Sequence, residues 1–578
     1  MKSTLKILWL IRCFLLSASI AHGADETLLR QKTAQAILAG DEAQRNLLNE
    51  LSSSGSHVVR DVLSAWMRDG VYLYDRGGTK IPVTLEDQQD AEGKVRALRV
   101  DDGQILHDEK NQELRFTTSD LNSADTDARL RAAIQQALDT LALSDPNPDA
   151  RRSAVLKLGN SQKLKNIPVL QARQTKESDP GVKISINQAI ALLQLGDSDP
   201  KTQIAAANQL GAFKFIGGLD ALKNLETRES TSAEVKRAAY LAAGKIQGHI
   251  SVVNFFGTIF HGLSLGSILL VVALGLAITF GLMGIINMAH GEMIAVGAYT
   301  CYVVQNIFGT GFGFSINLPF YLFGKQLGFG LHLPGLNAAG WFYESYFLFA
   351  LPLSFIMSAL AGLVLERTVI RFLYRRPLES LLATWGVSLV MQQLFRMVFG
   401  ANNVQVNSPR WLVGHFTIND ILFGYNRVFV IAFAVLIVIG TWLLLTKTPL
   451  GLLIRAVMQN RDMASCLGVR TARVNMLTFA FGSGLAGLAG AFLSQIGNVG
   501  PSMGQDHTVN AFMTVVVGGV GSIVGTVLSA VGIGTSDQVL QQATGSPVTG
   551  KIVVLVCIIL FLQWKPGGLF SIRSRSLD

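Results

Sequence analysis

Three polar residues of types that bind solutes or exchange protons lie close together in an apolar segment. They are Asn287, His290 and Glu292, within GLMGIINMAHGEMIAVGAY (281–299). Glu292 is the only Asp, Glu, Lys or Arg in residues 246–324. A carboxylate near the middle of a membrane costs about 2.5–3.5 kcal/mol on insertion scales. A chain that carries one is therefore expected to use it or to pair it.

Glycines surround this polar cluster and favour a loosened or broken helix. Gly281, Gly284 and Gly291 supply the conformational freedom that a break requires. Freed backbone groups beside the three polar side chains could hydrogen-bond a small polar solute. Two structural alternatives remain open. The three side chains could cap the break and satisfy one another, or they could lie at the cytoplasmic edge of a membrane.

The composition indicates two regions that face different solvents. The chain has 578 residues, of which 49% are hydrophobic and 15% charged, whereas soluble domains carry about 25% charge. Polar and charged residues concentrate in 25–250, and 253–563 consists mostly of long apolar runs. Basic residues of the second region lie in short loops, without the aromatic-flanked basic stripe of nucleic-acid-binding proteins. We therefore expect membrane lipid as a partner and no nucleic acid.

The amino terminus predicts export. Residues 1–23 combine two early lysines, an apolar stretch and small residues before a plausible cleavage site, as in a signal peptide. An uncleaved anchor helix is the alternative. Residues 24–250 are then an extracytoplasmic domain in either case.

This extracytoplasmic domain is predicted to be mostly helical and partly β. Alternating apolar and polar residues in 70–118 indicate short strands. In 125–246, segments that open with Asp, Ser or Pro and close with Gly suggest HEAT-like helices. An ordinary all-helical domain remains the alternative. The chain supplies no catalytic cluster, metal site or cofactor motif in this region, so a docking or scaffolding role is expected.

Residues 251–570 are predicted to be a polytopic α-helical membrane domain of about eight or nine segments, followed by a cytoplasmic tail at 571–578. Apolar runs of about 20 residues span a bilayer as helices. The runs lie near 256–283, 290–308, 346–366, 380–400, 428–446, 474–497, 509–535 and 551–563.

Loop charge predicts the orientation. Basic residues cluster in the loops after the third and fifth runs and in the tail, which places these loops and the C-terminus in the cytoplasm. Residue 250 then lies outside, in agreement with the predicted signal peptide. Because this arrangement requires an odd number of crossings, the glycine-interrupted run 509–535 is expected to be broken or re-entrant.

The loop TPLGLLIRAVMQNRDMASCLGVRTARV (448–474) predicts a short amphipathic helix that ends near Gly468. Ala456, Asn460, Ala464 and Leu467 fall on one face of such a helix. Small residues on a cytoplasmic helix suit insertion into a groove of a partner. A solvated linker is the alternative.

Four segments together resemble the membrane permeases of branched-chain amino-acid ABC importers. They are GLAITFGLMGIINMAHGEMIAVGAY (275–299), GLLIRAVMQNRDMASCLGV (451–469), GSGLAGLAGAF (482–492) and VVVGGVGSIVGTVLSA (515–530), and the ending WKPGGLF (564–570) also fits. The resemblance covers roughly 253–570. The long exported extension resembles the urea-type branch of this family.

The resemblance implies a transport subunit in a bacterial inner membrane, with its N-terminal domain periplasmic and its C-terminus cytoplasmic. The implied partners are a second homologous permease, two cytoplasmic ABC ATPases and a periplasmic solute-binding protein. The family's ATPase-contacting loop corresponds to Gly451, Arg455, Ala456 and Gly468 here, and Asn460 and Ala464 lie within it. Asn287, His290 and Glu292 become candidates for the translocation path.

The solute is expected to be small and polar. Urea is the first expectation, and branched-chain amino acids or other amides are the alternative. GSPVTGKI (545–552) lacks the final hydroxyl of a phosphate-binding loop, so no ATPase activity and no enzymatic role are expected. Two other classes remain open, namely an ion-coupled transporter or channel, and a membrane-anchored sensor or enzyme whose activity resides in 25–250.

Overall fold

The computed structural model describes residues 26–52, 54–89, 94–108, 112–117, 120–322, 325–374 and 376–570. Contacts between residues divide the chain into two compact units, 1–250 and 251–578. The signal peptide predicted at 1–23 and the tail predicted at 571–578 lie outside the described residues.

The first unit is mainly helical and contains one antiparallel sheet. Its helices are α1 (26–38), α2 (Asp41–Ser52), α3 (His57–Met67), α4 (Ala128–Leu141), α5 (Pro148–Asn160), α6 (Ile167–Lys176), α7 (Pro180–Gln194), α8 (Pro200–Phe213) and α9 (Leu219–Thr227). Its strands are β1 (Val71–Arg76), β2 (Thr79–Gln89), β3 (Val95–Arg99), β4 (Arg115–Phe116) and β5 (Asn122–Ser123). The strand order is β4-β3-β2-β1-β5, with every neighbouring pair antiparallel.

Three helices of this unit begin at an Asp-Pro or Asn-Pro pair. Asn147, Asp179 and Asp199 are the N-cap residues of α5, α7 and α8, and each side chain accepts a hydrogen bond from a backbone N–H of the first turn. Proline follows each cap, where its missing N–H costs nothing. The apolar sides of α5 and α7 then pack together around Val155 and Ile186, which are fully buried.

A buried ion pair links α5 to the end of α6. Arg151 donates to both carboxylate oxygens of Glu177, at 3.0 and 2.8 Å, and Arg173 donates to the same group at 2.8 Å. Burial raises the pKa of Glu177, but hydrogen bonds from Arg151, the Asp179 backbone and Arg173 outweigh burial and lower the pKa to about 2. The carboxylate is therefore ionised at neutral and mildly acidic pH.

The second unit consists of long apolar helices with two hairpins between them. Helix α10 (Ala233–Met283) extends across the boundary between the units. The following helices are α11 (His290–Phe308), α12 (Gly340–Glu344), α13 (Tyr346–Thr368), α14 (Pro377–Phe399), α15 (Tyr425–Lys447), α16 (Pro449–Gln459), α17 (Arg461–Cys466), α18 (Thr471–Leu493), α19 (Met503–Gly518), α20 (Ile523–Thr544) and α21 (Pro547–Trp564). The hairpins are β6 (Gly311–Leu322) with β7 (Lys325–Pro334), and β8 (His415–Ile418) with β9 (Ile421–Gly424).

Some of these helices are buried and others expose apolar side chains. In the most apolar 18-residue stretches of α10 and α18, 83% and 78% of the residues are buried. The corresponding shares are 28% in α15 and 17% in α21. Leu360, Leu436 and Val548 are among many large apolar residues that are at least half exposed on the outer helices. Soluble proteins rarely expose apolar surface on this scale. The fold class predicted from the sequence, a polytopic helical membrane domain after a partly β helical one, is confirmed.

Glycine pairs bring the buried helices into backbone contact. A methyl group at Gly297 of α11 would overlap the backbone of Gly487 of α18, and one at Gly490 would overlap the carbonyl of Ile294. A methyl group at Gly275 of α10 would likewise overlap the carbonyl of Gly482 in α18. Small residues permit this close approach between membrane helices.

The membrane helices agree with the eight or nine segments expected from the sequence. Among the described residues, seven helices are long and apolar enough to cross a membrane. Helix α11, which matches the expected run 290–308, and the 16-residue helix α19 are two further elements among them. The run 509–535 is two helices, α19 and α20, separated at 519–522, so the prediction that it is not one continuous span is confirmed.

The turn at 519–522 is tied to the end of the described chain. The backbone N–H of Leu569 donates to the carbonyl of Val517 at 2.8 Å, and that of Phe570 donates to Gly518 at 3.2 Å. These bonds use carbonyl groups at the C-terminus of α19 that its own helix leaves free.

We expect Gly297→Ala to destabilise the second unit by about 2 kcal/mol or more, because the new methyl group meets backbone that cannot rotate away. Gly440→Ala is the matched control, since a Cβ at Gly440 has no heavy atom within 4 Å and alanine favours a helix by up to about 1 kcal/mol. Thermal melting of the detergent-purified full chain measures both. Equal melting temperatures for the two variants would contradict the packing described above.

Candidate functional site

The predicted polar cluster lies at a break between α10 and α11. Residues 284–289 are not helical, and Gly284 has a φ of +65°, which favours glycine. Asn287, at the break, accepts a hydrogen bond through Oδ1 from the backbone N–H of Ala289 at 3.0 Å. The side chain is fully buried, and its Nδ2 has no partner among the described residues.

His290 is the first residue of α11 and is 1% exposed. Its Nε2 lies 3.1 Å from the carbonyl oxygen of Val272 in α10. Because a carbonyl only accepts, Nε2 carries the proton and Nδ1 is left as an acceptor when the ring is neutral. In the described part of the chain Nδ1 is buried with no partner.

Glu292 lies in the first turn of α11 and is fully buried. Its Oε1 accepts hydrogen bonds from Ser388 Oγ at 2.8 Å and from Gln392 Nε2 at 2.9 Å. Its Oε2 is buried and has no partner within the described residues. One oxygen of the carboxyl group is therefore hydrogen-bonded to α14, and the other could take part in a further hydrogen bond.

The partners of Glu292 belong to a polar stripe on α14 that the sequence analysis missed. The stripe comprises Ser380, Thr384, Ser388 and Gln392, all less than 9% exposed. Thr384 also accepts from the backbone N–H of Met288 in the break, at 3.1 Å. The signal was present in the sequence, because a spacing of four residues keeps these polar side chains on one face of an otherwise apolar helix.

A second helix begins beside the cluster. A methyl group at Gly291 would overlap Thr508 Oγ1 and the carbonyl of Gly504, both in the first two turns of α19. The starts of α11 and α19 are therefore in backbone contact inside the second unit. Helix N-termini carry unsatisfied N–H groups and a partial positive charge, so this region suits polar or anionic groups.

The site therefore offers one donor, Asn287 Nδ2, and two acceptors, His290 Nδ1 and Glu292 Oε2. Buried polar atoms are normally hydrogen-bonded, so three such atoms in one site require an explanation. The alternative in which the three side chains satisfy one another is not what the structure has, since their hydrogen bonds go to Ala289, Val272 and α14. Of the three side chains, Asn287 bonds a backbone group of the break itself, the N–H of Ala289. His290 and Glu292 are two residues apart on α11 and contact different helices, α10 and α14, so each of the three atoms could hydrogen-bond a small polar solute separately.

The predicted loop helix is two helices in the structure. Helix α16 ends at Gln459. The next residue, Asn460, has an extended backbone, and its side chain caps α17 by accepting from the N–H of Met463 at 2.9 Å. Gly468 follows α17 with a φ of +85°. The expected common face is therefore wrong: Ala456 is exposed, whereas Ala464 is 5% exposed and packs in the hydrophobic core.

These two helices are fixed to the membrane helices by specific contacts. A methyl group at Gly451 would overlap the carbonyls of Leu444 and Leu445 at the end of α15. Arg455 donates to the Leu445 carbonyl at 2.6 Å. The Arg461 guanidinium lies 4.7 Å from the centre of the Tyr374 ring, a cation–π contact. The loop is therefore an ordered element rather than a linker.

Both apolar and polar side chains are exposed on these helices. The exposed apolar ones are Leu452 and Ala456 on α16, Met463 on α17 and Leu467, which follows α17 directly and is 79% exposed. Leu452 and Ala456 are four residues apart, so they lie on one face of α16. Across the residues that the structure describes, no group of three His, Cys, Asp or Glu side chains is placed to hold a metal ion.

The fold and the buried cluster together define a polytopic helical membrane protein with a polar site among its inner helices. A family model described as branched-chain amino acid transport system / permease component matches residues 258–562, just over half of the chain. The chain belongs to this family of permease components.

Individual relatives are similar to part of the chain. The high-affinity branched-chain amino acid transport system permease protein BraD of Pseudomonas aeruginosa is 25% identical over 331 residues, which cover 55% of this chain and 97% of BraD. LivH of Escherichia coli K12, of the same description, is 26% identical over 322 residues, 55% of this chain and 96% of LivH. The ribose import permease protein RbsC of Bacillus subtilis is 32% identical over 142 residues, 23% of this chain and 42% of RbsC. No solved structure has significant similarity to the chain.

We expect Glu292→Leu to lower the stability of the chain by about 1–3 kcal/mol, because it leaves the donors Ser388 and Gln392 buried without an acceptor. Glu292→Gln keeps an oxygen in that position and is expected to lose less. Glu379→Leu is the control: Glu379 is exposed and pairs with exposed Arg376, and such pairs contribute about 0–1 kcal/mol. Thermal melting in detergent measures all three. A Glu292→Leu melting temperature equal to that of the control would show that the carboxylate is not a structural acceptor.

Proposed function

We propose that this chain is the permease subunit of an ABC importer and forms half of the translocation path for a small polar solute. Family membership supports the transport role. The observation that carries the path assignment is Glu292, a carboxyl group buried among the inner helices. One of its oxygens is bonded to α14, and the other has no partner in the part of the chain that the structure describes. Buried ionisable groups in membrane domains commonly mark substrate pathways.

The solute best supported is a branched-chain amino acid. BraD and LivH are named for these solutes, and both are matched over nearly their whole length. Urea, the first expectation from the sequence, has no support among the relatives reported above. It remains the second candidate for one reason: BraD and LivH align with about 55% of this chain, so close to half of it has no counterpart in them.

The proposed partners are a second homologous permease, two cytoplasmic ATPases and a periplasmic solute-binding protein. Both LivH and LivM of Salmonella typhimurium are similar to this chain, which supports pairing between two related permeases. The exposed apolar side chains of α16 and α17 supply a surface for an ATPase. Gly451, Arg455, Asn460 and Gly468 shape and anchor this surface, and Ala456 lies on it.

We infer that the chain is a multi-pass protein of a bacterial inner membrane, with residues 24–250 periplasmic and the C-terminus cytoplasmic. Counting α11 and α19 with the seven apolar helices gives nine membrane elements in the described chain, and an odd number agrees with opposite sides for the two ends. The basic loops beside α13 and α16 support the cytoplasmic assignment. ATP binding by the partners would then move α16 and α17 and change access to the site.

We expect Leu452→Asp combined with Leu467→Asp to weaken association with the ATPase subunits by about tenfold or more, because charge replaces apolar contact area. Co-purification of the ATPase from detergent extracts of cells that express the full importer measures this association. Leu422→Asp, at a similarly exposed apolar residue in the β8–β9 hairpin, is the matched control. Undiminished ATPase recovery with the double variant would contradict the docking assignment.

Radiolabel uptake in cells that lack this chain tests the transport function and the solute. We expect leucine uptake to fall to background and to return when the chain is restored, while urea uptake is unchanged. The reverse pattern would assign urea instead. Uptake by the purified chain alone in liposomes, under an ion gradient and without ATPase partners, would refute the ABC-importer proposal.

A further inference from the structure

A cavity of about 240 Å³ lies at the start of α19. Its floor is formed by the first turn and a half of α19, whose Gly504 and Thr508 contact Gly291 of the cluster. Both apolar and polar residues line it. The apolar ones are Leu493, Ile496 and Met503, and the polar ones are Asn403, Asn498, Ser502, Asp506 and His507.

The walls of this cavity are fixed by backbone contacts. Val404 and Val499 exchange two backbone hydrogen bonds, each 2.8 Å long, which join the loop after α14 to the loop before α19. A methyl group at Gly500 would overlap the amide oxygen of Asn403. These contacts join the backbones of the two loops that line the cavity, and a preorganised backbone reduces the entropy lost on binding.

The lining has three chemically distinct parts. Asp506 is its only formally charged residue, and a carboxylate in a membrane domain attracts a cationic group. Asn403, Asn498 and Ser502 bring amide and hydroxyl donors, which suit a carboxylate. Leu493, Ile496 and Met503 offer an apolar surface. His507, next to Asp506, has a buried Nδ1 with no partner among the described residues.

We propose that this cavity is the first binding site for the entering solute and that it takes a small apolar α-amino acid as the zwitterion. Asp506 binds the ammonium group, the amide and hydroxyl donors bind the carboxylate, and the apolar wall contacts the side chain. The inference rests on the proposed function and deepens it, since it names the residues that bind the solute before it reaches Glu292. Urea, which is neutral, has no use for Asp506 as a counter-ion.

Binding to the purified full chain in lipid nanodiscs tests the site directly. The probes are L-leucine and 4-methylpentanoate, which lacks the ammonium group, and saturation-transfer NMR gives the dissociation constants. We expect Asp506→Asn to raise the Kd for leucine about tenfold or more, the size of one lost charge-assisted bond, and to leave the weak binding of 4-methylpentanoate unchanged. Asp506→Glu, which keeps the charge, should restore leucine binding to within about threefold.

Asp537→Asn on α20 is the matched control, because Asp537 lines a separate cavity of about 20 Å³, room for about one water molecule. An equal loss with Asp537→Asn, or equal leucine binding by wild type and Asp506→Asn, would overturn the proposed site. Leucine uptake by cells separates this outcome from failure of the proposed function. Wild-type cells that import leucine while Asp506→Asn binds it normally refute the site alone, and wild-type cells that import no leucine refute the function.

Discussion

Backbone contact between helices is the constraint on which the second unit depends. In lipid, an apolar side chain gains little by leaving hydrocarbon for a neighbouring helix, so association relies on close packing. Glycine pairs such as Gly297 with Gly487, and Gly291 with Gly504, provide that packing here. They set the position of α11 between α18 and α19. The location of His290 and Glu292 follows, because both lie in the first turn of α11.

The buried carboxyl group is tolerable only because a neighbouring helix supplies donors. Ser388 and Gln392 hold Oε1 of Glu292, and the break before α11 places backbone groups near the same level. A buried polar network of this kind is stable when its members are satisfied, and any unsatisfied member is costly. Within the described residues, the second oxygen of Glu292, Nδ1 of His290 and Nδ2 of Asn287 have no partner, which agrees with the solute contacts proposed for them.

The sequence was sufficient for the class of fold and for the residues of the cluster, and the reasons are physical. Long apolar runs have few alternatives to membrane helices, and a lone carboxylate among them stands out. The break in 509–535 followed from counting sides of the membrane. The hydrogen-bond partners of Glu292 could not be predicted in the same way. Glu292 and Gln392 are 100 residues apart in the sequence, and only the packing of α11 against α14 brings them together. The two-helix form of 448–474 was missed because Asn460, assigned to a helix face, acts instead as a cap.

The end of the described chain has a practical consequence for handling the protein. Leu569 and Phe570 donate two backbone hydrogen bonds to the end of α19, next to the turn between α19 and α20. Affinity tags and fluorescent fusions therefore belong beyond residue 570, where they leave these two hydrogen bonds intact. A chain shortened to before Leu569 would leave the carbonyls of Val517 and Gly518 without these hydrogen-bond donors. The turn after α19 would then be less fixed, and α19 is the helix that contacts Gly291 and lines the cavity.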